Sequence, residues 1–434
     1  MNESSSWTAL KNPIFRKLWI ATVISGTCVA AYDSAATWMM NAFAGSPFLI
    51  SLISTVASLP FFLFTLPAGA LVDKVDRQKL ICSINVGLAA TATGLAVLGW
   101  LHLLNPYLML ISVFLIGVGF AFNAPAWTSI VPQVVSDSEL PSAATLSGLQ
   151  FNISGIIGPA LGGLLVPLAG AHSVFALNAA CFLLVVLAAR QWKQPAVPAK
   201  LPSESFSESF GTVIRYVRNA RGFQVVLARN FLFALFISAI PALMPVVGLK
   251  VLHLGSSSLG LLFTSMGAGS VVGAVFIIPC LRARLSSDCL TLLANLLLVW
   301  VYVLMAFVRQ PETFFVVAAL AGVGWTMSAS ELWVAAQRAI PGWARGRMNA
   351  TVIMISQGAM AVGGVICGSA AAIAGASATL LGAAMLFLTS LLLSRRLSIS
   401  ATTNLQETVS CLLSGSVEPE EMTSMALTTE LLAA

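Results

Sequence analysis

Apolar residues run along this chain in stretches of about twenty, broken by short polar segments rich in Lys, Arg and Pro. A run of that length crosses the hydrocarbon core of a bilayer as a helix, because every backbone group is then bonded within the segment. The pattern predicts runs near 18–42, 49–71, 80–101, 106–128, 143–168 and 173–190. A second set lies near 224–248, 259–280, 289–308, 314–336, 350–373 and 377–394. A polar stretch, 191–223, carries Pro195, Pro198 and Pro202 between the two sets. The expected fold is an all-α membrane protein of twelve transmembrane helices in two pseudo-symmetric six-helix bundles. The expected division is a first bundle over 1–190, a linker over 191–223, a second bundle over 224–395 and a tail over 396–434.

Composition narrows the class. Hydrophobic residues make up 58% of the 434 and charged residues 9%, where a soluble domain carries about 25% charged residues. Too few charges remain to cover a water-facing exterior, so most of the surface must face lipid. The formal net charge of +6 does not point to nucleic acid, since the basic residues are spread among short loops rather than gathered on one face. Seven scattered cysteines have no metal-site or disulfide spacing, and no cofactor or metal is implied. Lys11, Arg16 and Lys17 precede an apolar run of about 25 residues, too long for a cleaved signal, so the first helix is expected to stay.

Orientation follows from the Lys and Arg residues. With the N-terminus inside, only Lys250 and Arg309 fall in outer loops and Arg229 falls within helix 7. All others lie on the inner side, which places both termini in the cytoplasm. The halves also echo each other: LIGVGFAF at 115–122 and LAGVGWTM at 320–327 each lead to an inner proline, Pro132 and Pro341. Two related bundles place a ligand site at their interface near mid-membrane. Residues 204–223 read as an amphipathic helix on the inner leaflet, with Phe206, Phe210, Val213, Ile214 and Val217 apart from Arg215, Arg218 and Arg221. The Ser/Thr-rich acidic tail after Arg396 is expected to be disordered.

GALVDKVDRQKL at 69–80 resembles the loop signature of the major facilitator superfamily, with Gly69, Asp73, Lys74, Arg77 and Lys79 matching and Asp76 in place of the usual second glycine. The resemblance implies a conformational latch on the inner side, built from Gly69, Asp73, Lys74 and Arg77 and completed by Arg345 and Arg347 of IPGWARGRMNA. GFAFNAPAWTSIVPQVV, SELPSAATLSG, FNISGIIGPALGGLL and VFALNAACF, between 119 and 182, look like the bacterial enterobactin and macrolide exporter branch. GIIGPALGG at 155–163 is similar to the Gly-Pro segment of exporters in this superfamily. Gly158, Gly162 and Gly163 let a neighbouring helix approach, and Pro159 removes a backbone bond so that the helix can bend. Val113 stands where the helix 4 antiporter motif has arginine, and Gly155 where many relatives have arginine. Proton coupling must then use other groups.

Of 22 basic and 16 acidic residues, three lie well inside the apolar runs, away from their ends: Asp33, Arg229 and Glu331. A charge at mid-bilayer costs about 2.5–3.5 kcal/mol on insertion scales, so such groups face a cavity or a partner. In the superfamily arrangement helices 1, 7 and 10, which carry them, line the central cavity. Arg229 and Glu331 have similar depth and are expected to form an inner gate ion pair; Asp33 is left to take the coupling proton. Trp38, Asn123, Trp127, Phe233, Phe236 and Trp325 are the cavity-lining candidates, suited to a bulky amphipathic molecule. The implied activity is export of a small amphipathic drug, siderophore or metabolite by alternating access and proton antiport. The protein is expected as a monomer in the inner membrane of a bacterium. An importer of a hydrophobic nutrient, or a receptor on a transporter scaffold, are the alternatives. An enzyme is not expected, for no metal-protease motif, phosphate loop or nucleophile elbow occurs.

The charge asymmetry gives a direct expectation. Alkaline phosphatase fused after Leu103 or Arg309 is active outside the cell, whereas fusions after Arg77 or Arg284 are inactive; the reverse pattern would invert the orientation.

Overall fold

The computed structural model describes residues 7–72, 75–136, 138–192, 217–218, 220–340 and 345–394. The described residues form helices and no strands. After a short 3-10 turn, Thr8–Lys11, come α1 (Pro13–Ala44), α2 (Pro47–Val72), α3 (Arg77–Trp100), α4 (Pro106–Val134), α5 (Leu140–Ala169) and α6 (Ala171–Arg190). Helix α7 joins Arg221–Ile237, Ala239–Val246 and a π turn, Val247–Val251. Helix α8 joins Ser256–Val272, a π turn Gly273–Ile277 and Ile278–Arg282. Then follow α9 (Ser287–Phe307), α10 (Pro311–Ala339), α11 (Arg345–Ala374) and α12 (Ala376–Ser394). Eleven of these are long and apolar enough to cross a membrane. The twelfth, 19 residues, is shorter, but at 1.5 Å per residue it still reaches about 28 Å.

The helices begin where short polar side chains replace the missing backbone acceptors. Asn12 accepts from the N–H groups of Ile14 and Phe15 ahead of Pro13, and Asn105 accepts from Leu108 ahead of Pro106. Asp76, the departure from the loop signature, caps α3 by accepting from the Lys79 N–H at 3.1 Å. Gly45 closes α1 with φ +60°, a conformation that L side chains rarely adopt. Gly170 and Gly375 also have positive φ, and they end α5 and α11 with the same spacing of about 205 residues as the helix 4 and helix 10 echo. That repeated turn carries the two-fold relation into the backbone.

The helices are held by close contact at small residues, as expected where lipid supplies no hydrophobic drive between them. A Cβ on Gly162 would stand 2.9 Å from Ala31 Cα of α1; one on Gly163 would stand 2.8 Å from Ser256 O and 3.0 Å from Gly260 Cα of α8. One face of α5 thus serves a partner in its own half and one in the other. A Cβ on Gly322 of α10 would stand 2.8 Å from Ser270 N of α8, and Gly364 and Gly368 of α11 meet Thr55 and Ser51 of α2. The two hydrogen bonds that cross between described residues of the halves, Ser257 Oγ to Gly163 O (3.2 Å) and Thr264 Oγ1 to Ile156 O (2.9 Å), lie on the α5–α8 seam. Ser257, Gly163, Ser51 and Gly368 all sit toward the ends remote from the Lys- and Arg-rich end, so the halves are zipped there.

The linker helix expected at 204–223 falls outside the described residues except for Val217, Arg218 and the segment from Ala220, and the tail lies outside them altogether.

Gly163→Val should force α5 and α8 apart at a cost of about 1–3 kcal/mol. Gly148→Ala, on the same helix with nothing within 4 Å, should leave stability unchanged or slightly raised. Thermal unfolding in lipid nanodiscs compares the two, and equal midpoints would show that the seam is not close-packed.

Candidate functional site

The two halves enclose a cavity of about 420 Å³. Its walls come from α1, α2 and α5 on one side and α7, α8 and α11 on the other. Asp33 faces it and is exposed to it, one residue from the buried Tyr32, whose hydroxyl pairs with Ser112 Oγ of α4 at 2.9 Å. The Asp33 carboxylate has no hydrogen-bond or ion-pair partner among the described residues. Its backbone carbonyl accepts from Thr37 Oγ1 at 2.8 Å. Asp33 is the only ionisable side chain in the lining among the described residues.

Four of the hydroxyls that line the cavity donate to a carbonyl of their own helix. Thr37 donates to Asp33 O, Ser54 to Ser51 O (2.9 Å), Ser58 to Ser54 O (3.0 Å) and Ser270 to Met266 O (3.1 Å). With their protons directed into the helices, these groups present lone pairs to the space. Pro159, Pro241 and Pro245 also line it. They stand where backbone bonding in α5 and α7 is interrupted, and irregular membrane helices are tolerated where they border a cavity. Near the break in α7, Tyr302 Oη donates to Phe236 O at 2.7 Å, satisfying one of the carbonyls there.

The expected Arg229–Glu331 pair does not form. Arg229 Nη1 instead meets Asp288 Oδ1 of α9 at 2.6 Å, and Arg282 Nε of α8 meets Glu331 Oε1 at 2.7 Å. Both pairs join helices of the second half, so they brace one bundle and do not gate the interface. The physical reason is reach. Arg282 and Asp288 read as residues of the loop between helices 8 and 9, yet they lie at the end of α8 and in the first turn of α9, and their side chains extend to groups deeper in the bundle. The two pairs differ in burial. Glu331 is 2% exposed and its second oxygen has no hydrogen-bond partner, while Arg282 is 44% exposed.

None of the six lining candidates borders this cavity. Phe233 is in the buried core, and Trp38, Phe236 and Trp325 pack against that core. Phe236 stacks on Phe387 of α12 with ring centroids 5.1 Å apart. Trp127 packs with a separate cluster around Leu18, Ala126 and Ile130. Asn123 is half-buried with its Oδ1 unpartnered. The large aromatics fill interhelical space; the smaller Ser and Thr residues of α1 and α2, which periodicity alone did not single out, border the cavity.

Of the latch, Asp73 and Lys74 lie outside the described residues, as does the side chain of Arg345. Arg77 Nη1 donates to Ser129 O of α4 at 3.2 Å, Gly69 has open space at its Cβ position, and Arg347 lies in the first turn of α11. In α5, Pro159 lines the cavity while Gly158 and Gly162 pack on α1 and Gly163 on α8.

A family profile described as a transmembrane secretion effector matches residues 4–421. Macrolide efflux protein A of Streptococcus pyogenes is 22% identical over 265 residues, 61% of this chain and 65% of that protein. An enterobactin exporter of Citrobacter koseri is 25% identical over 272 residues, 61% of this chain and 63% of that one. The chain spans just under two thirds of the length of these relatives. Among solved structures, a bacterial homologue of the human lysosomal transporter Spinster, inward-facing and unoccupied, gives a TM-score of 0.70 at 12% identity, covering 91% of this chain and 97% of that one. An inward-facing bacterial homologue of the iron transporter ferroportin gives 0.64 at 16%, covering 87% and 98%. At such identities the likeness shows the fold alone.

The re-sorted ion pairs predict an order of stabilities. Arg282→Ala leaves a buried carboxylate uncompensated and should cost about 3 kcal/mol, the low end for a broken buried pair because Arg282 itself keeps water. Glu331→Gln should cost less, since the freed guanidinium reaches solvent. The double variant should melt above Arg282→Ala alone; a midpoint at or below it would mean that the pair is not the reason.

Proposed function

Because the chain belongs to the transmembrane secretion effector family of the major facilitator superfamily, we propose that this transporter is a secondary active exporter of small amphipathic molecules, driven by proton antiport. The observation that carries the reading is Asp33, an unpartnered carboxylate in a mostly apolar cavity between the two halves. Cavities of about 300–1,000 Å³ suit small organic ligands, and one with few polar groups suits a largely apolar one. Asp33 is the proton carrier in this reading, since Val113 leaves helix 4 without the arginine that relatives use.

The halves touch most closely away from the Lys- and Arg-rich end. With that end cytoplasmic, the state described is closed outside and loads from within. Return requires the α5–α8 and α2–α11 seams to part, a motion their small residues allow without dragging long side chains past one another. The termini are then cytoplasmic, the protein sits in the cytoplasmic membrane of a bacterium and the monomer is the working unit. Export is also what the names of the macrolide and enterobactin relatives say of those proteins.

Inside-out vesicles holding the protein should accumulate a lipophilic dye when a proton gradient is imposed, and collapse of the gradient should release it. Asp33→Asn should lower the gradient-driven rate at least tenfold with the thermal midpoint unchanged. Full transport by Asp33→Asn would remove the carrier role, and accumulation only in right-side-out vesicles would make the protein an importer.

A further inference from the structure

The cavity has two chemically different walls, and the division follows the halves of the molecule. The α1 and α2 side supplies every polar side chain but one, Asp33, Ser34, Thr37, Ser54 and Ser58, beside apolar residues such as Ile50. The side from α7, α8 and α11 supplies Pro241, Pro245, Phe263, Met266 and Met360, with Ser270 its one hydroxyl. Among the described residues no Lys, Arg, His, Asn, Gln or Trp lines the space, so none of their side-chain nitrogens offers a proton or a positive charge to a ligand. The hydroxyls of Thr37, Ser54, Ser58 and Ser270 spend their protons on helix carbonyls and offer lone pairs only. Every polar feature whose direction is fixed therefore accepts.

We infer that the ligand is a monovalent organic cation, held with its charged group on the α1–α2 wall at Asp33 and its apolar body on the α7–α8–α11 wall. The inference rests on the transport reading of this cavity and adds the substrate class. A carboxylate backed by acceptor oxygens in a space of reduced dielectric attracts a cation strongly. An anion of equal size meets the same carboxylate and finds no cationic donor among the described lining residues to offset its lost hydration. The opposite wall is mostly proline, thioether and aromatic surface, and its methionines adapt to apolar shapes with little directional demand. Charge selectivity thus belongs to one half of the protein and size selectivity to the other.

Tetraphenylphosphonium and tetraphenylborate test this, because they share shape and differ in sign. Equilibrium dialysis against purified protein in nanodiscs, corrected with protein-free nanodiscs, should show the phosphonium bound at least tenfold more tightly. Asp33→Asn should erase that preference and Asp33→Glu should restore most of it, while thermal midpoints confirm that both variants fold. Phe263→Ala and Met360→Ala should keep the preference for the cation but alter the ratio between tetraphenylphosphonium and the smaller methyltriphenylphosphonium by several-fold. Equal or tighter binding of the borate, or a cation preference that survives Asp33→Asn, overturns the inference. So does a size ratio unmoved by both apolar-wall variants. Binding and transport fail separately: cation-selective binding without gradient-driven transport overturns the exporter reading alone, whereas transport without cation selectivity overturns this inference alone.

Discussion

A charged side chain within the hydrocarbon layer needs either a counter-charge or a space that water can enter, since even insertion scales place its cost at about 2.5–3.5 kcal/mol. Three such residues occur in this chain, and the structure resolves them differently. Arg229 and Glu331 each have an opposite charge, Asp288 from the first turn of α9 and Arg282 from the end of α8. Asp33 has none among the described residues and instead borders the cavity between the halves. The first two are therefore structural fastenings of one bundle. The third leaves a negative charge where a proton or a ligand can meet it.

That cavity exists because the halves meet along only part of their length. Helices without long side chains at the contact can approach until backbones touch, and Gly163 against Gly260 brings α5 and α8 to that limit. Toward mid-membrane α5 still meets α8, since a Cβ on Gly267 would stand 3.0 Å from Gly155 C, while the Cβ position of Gly155 itself is open and the residue lines the cavity. One stretch of α5 thus serves both the seam and the cavity wall, and Pro159 within it removes one backbone bond. The same helix packs Gly158 and Gly162 on α1, the element that carries Asp33, so closure of the seam and placement of the carboxylate are mechanically linked.

The twelve helices were legible from apolar runs alone because lipid imposes a minimum span that no soluble fold demands. Asn12-Pro13 and Asn105-Pro106 also announced helix starts in plain sequence, through chemistry local to each cap. The site was less legible. Asp33 stood out because a lone acid in an apolar run is costly wherever it points. The aromatic candidates failed for the complementary reason: a large ring such as Phe236 is equally at home against Phe387 as in a cavity, and periodicity does not choose between them. Ser54 and Ser58 gave no signal at all, since a hydroxyl bonded to its own helix looks the same in any environment.

Sequence by itself determined the membrane-spanning class, the helix count, the charge asymmetry from end to end and the depth of each buried charge. Each of these depends on composition and spacing along one helix, where a rise of about 1.5 Å per residue turns position directly into height. Tertiary structure decided the azimuth: which face of each helix meets which neighbour, hence that Glu331 pairs with Arg282 and not with Arg229, and that Asp33 faces space. Those outcomes arise from close packing at glycines on different helices far apart in the chain, and no pattern within a single run contains them.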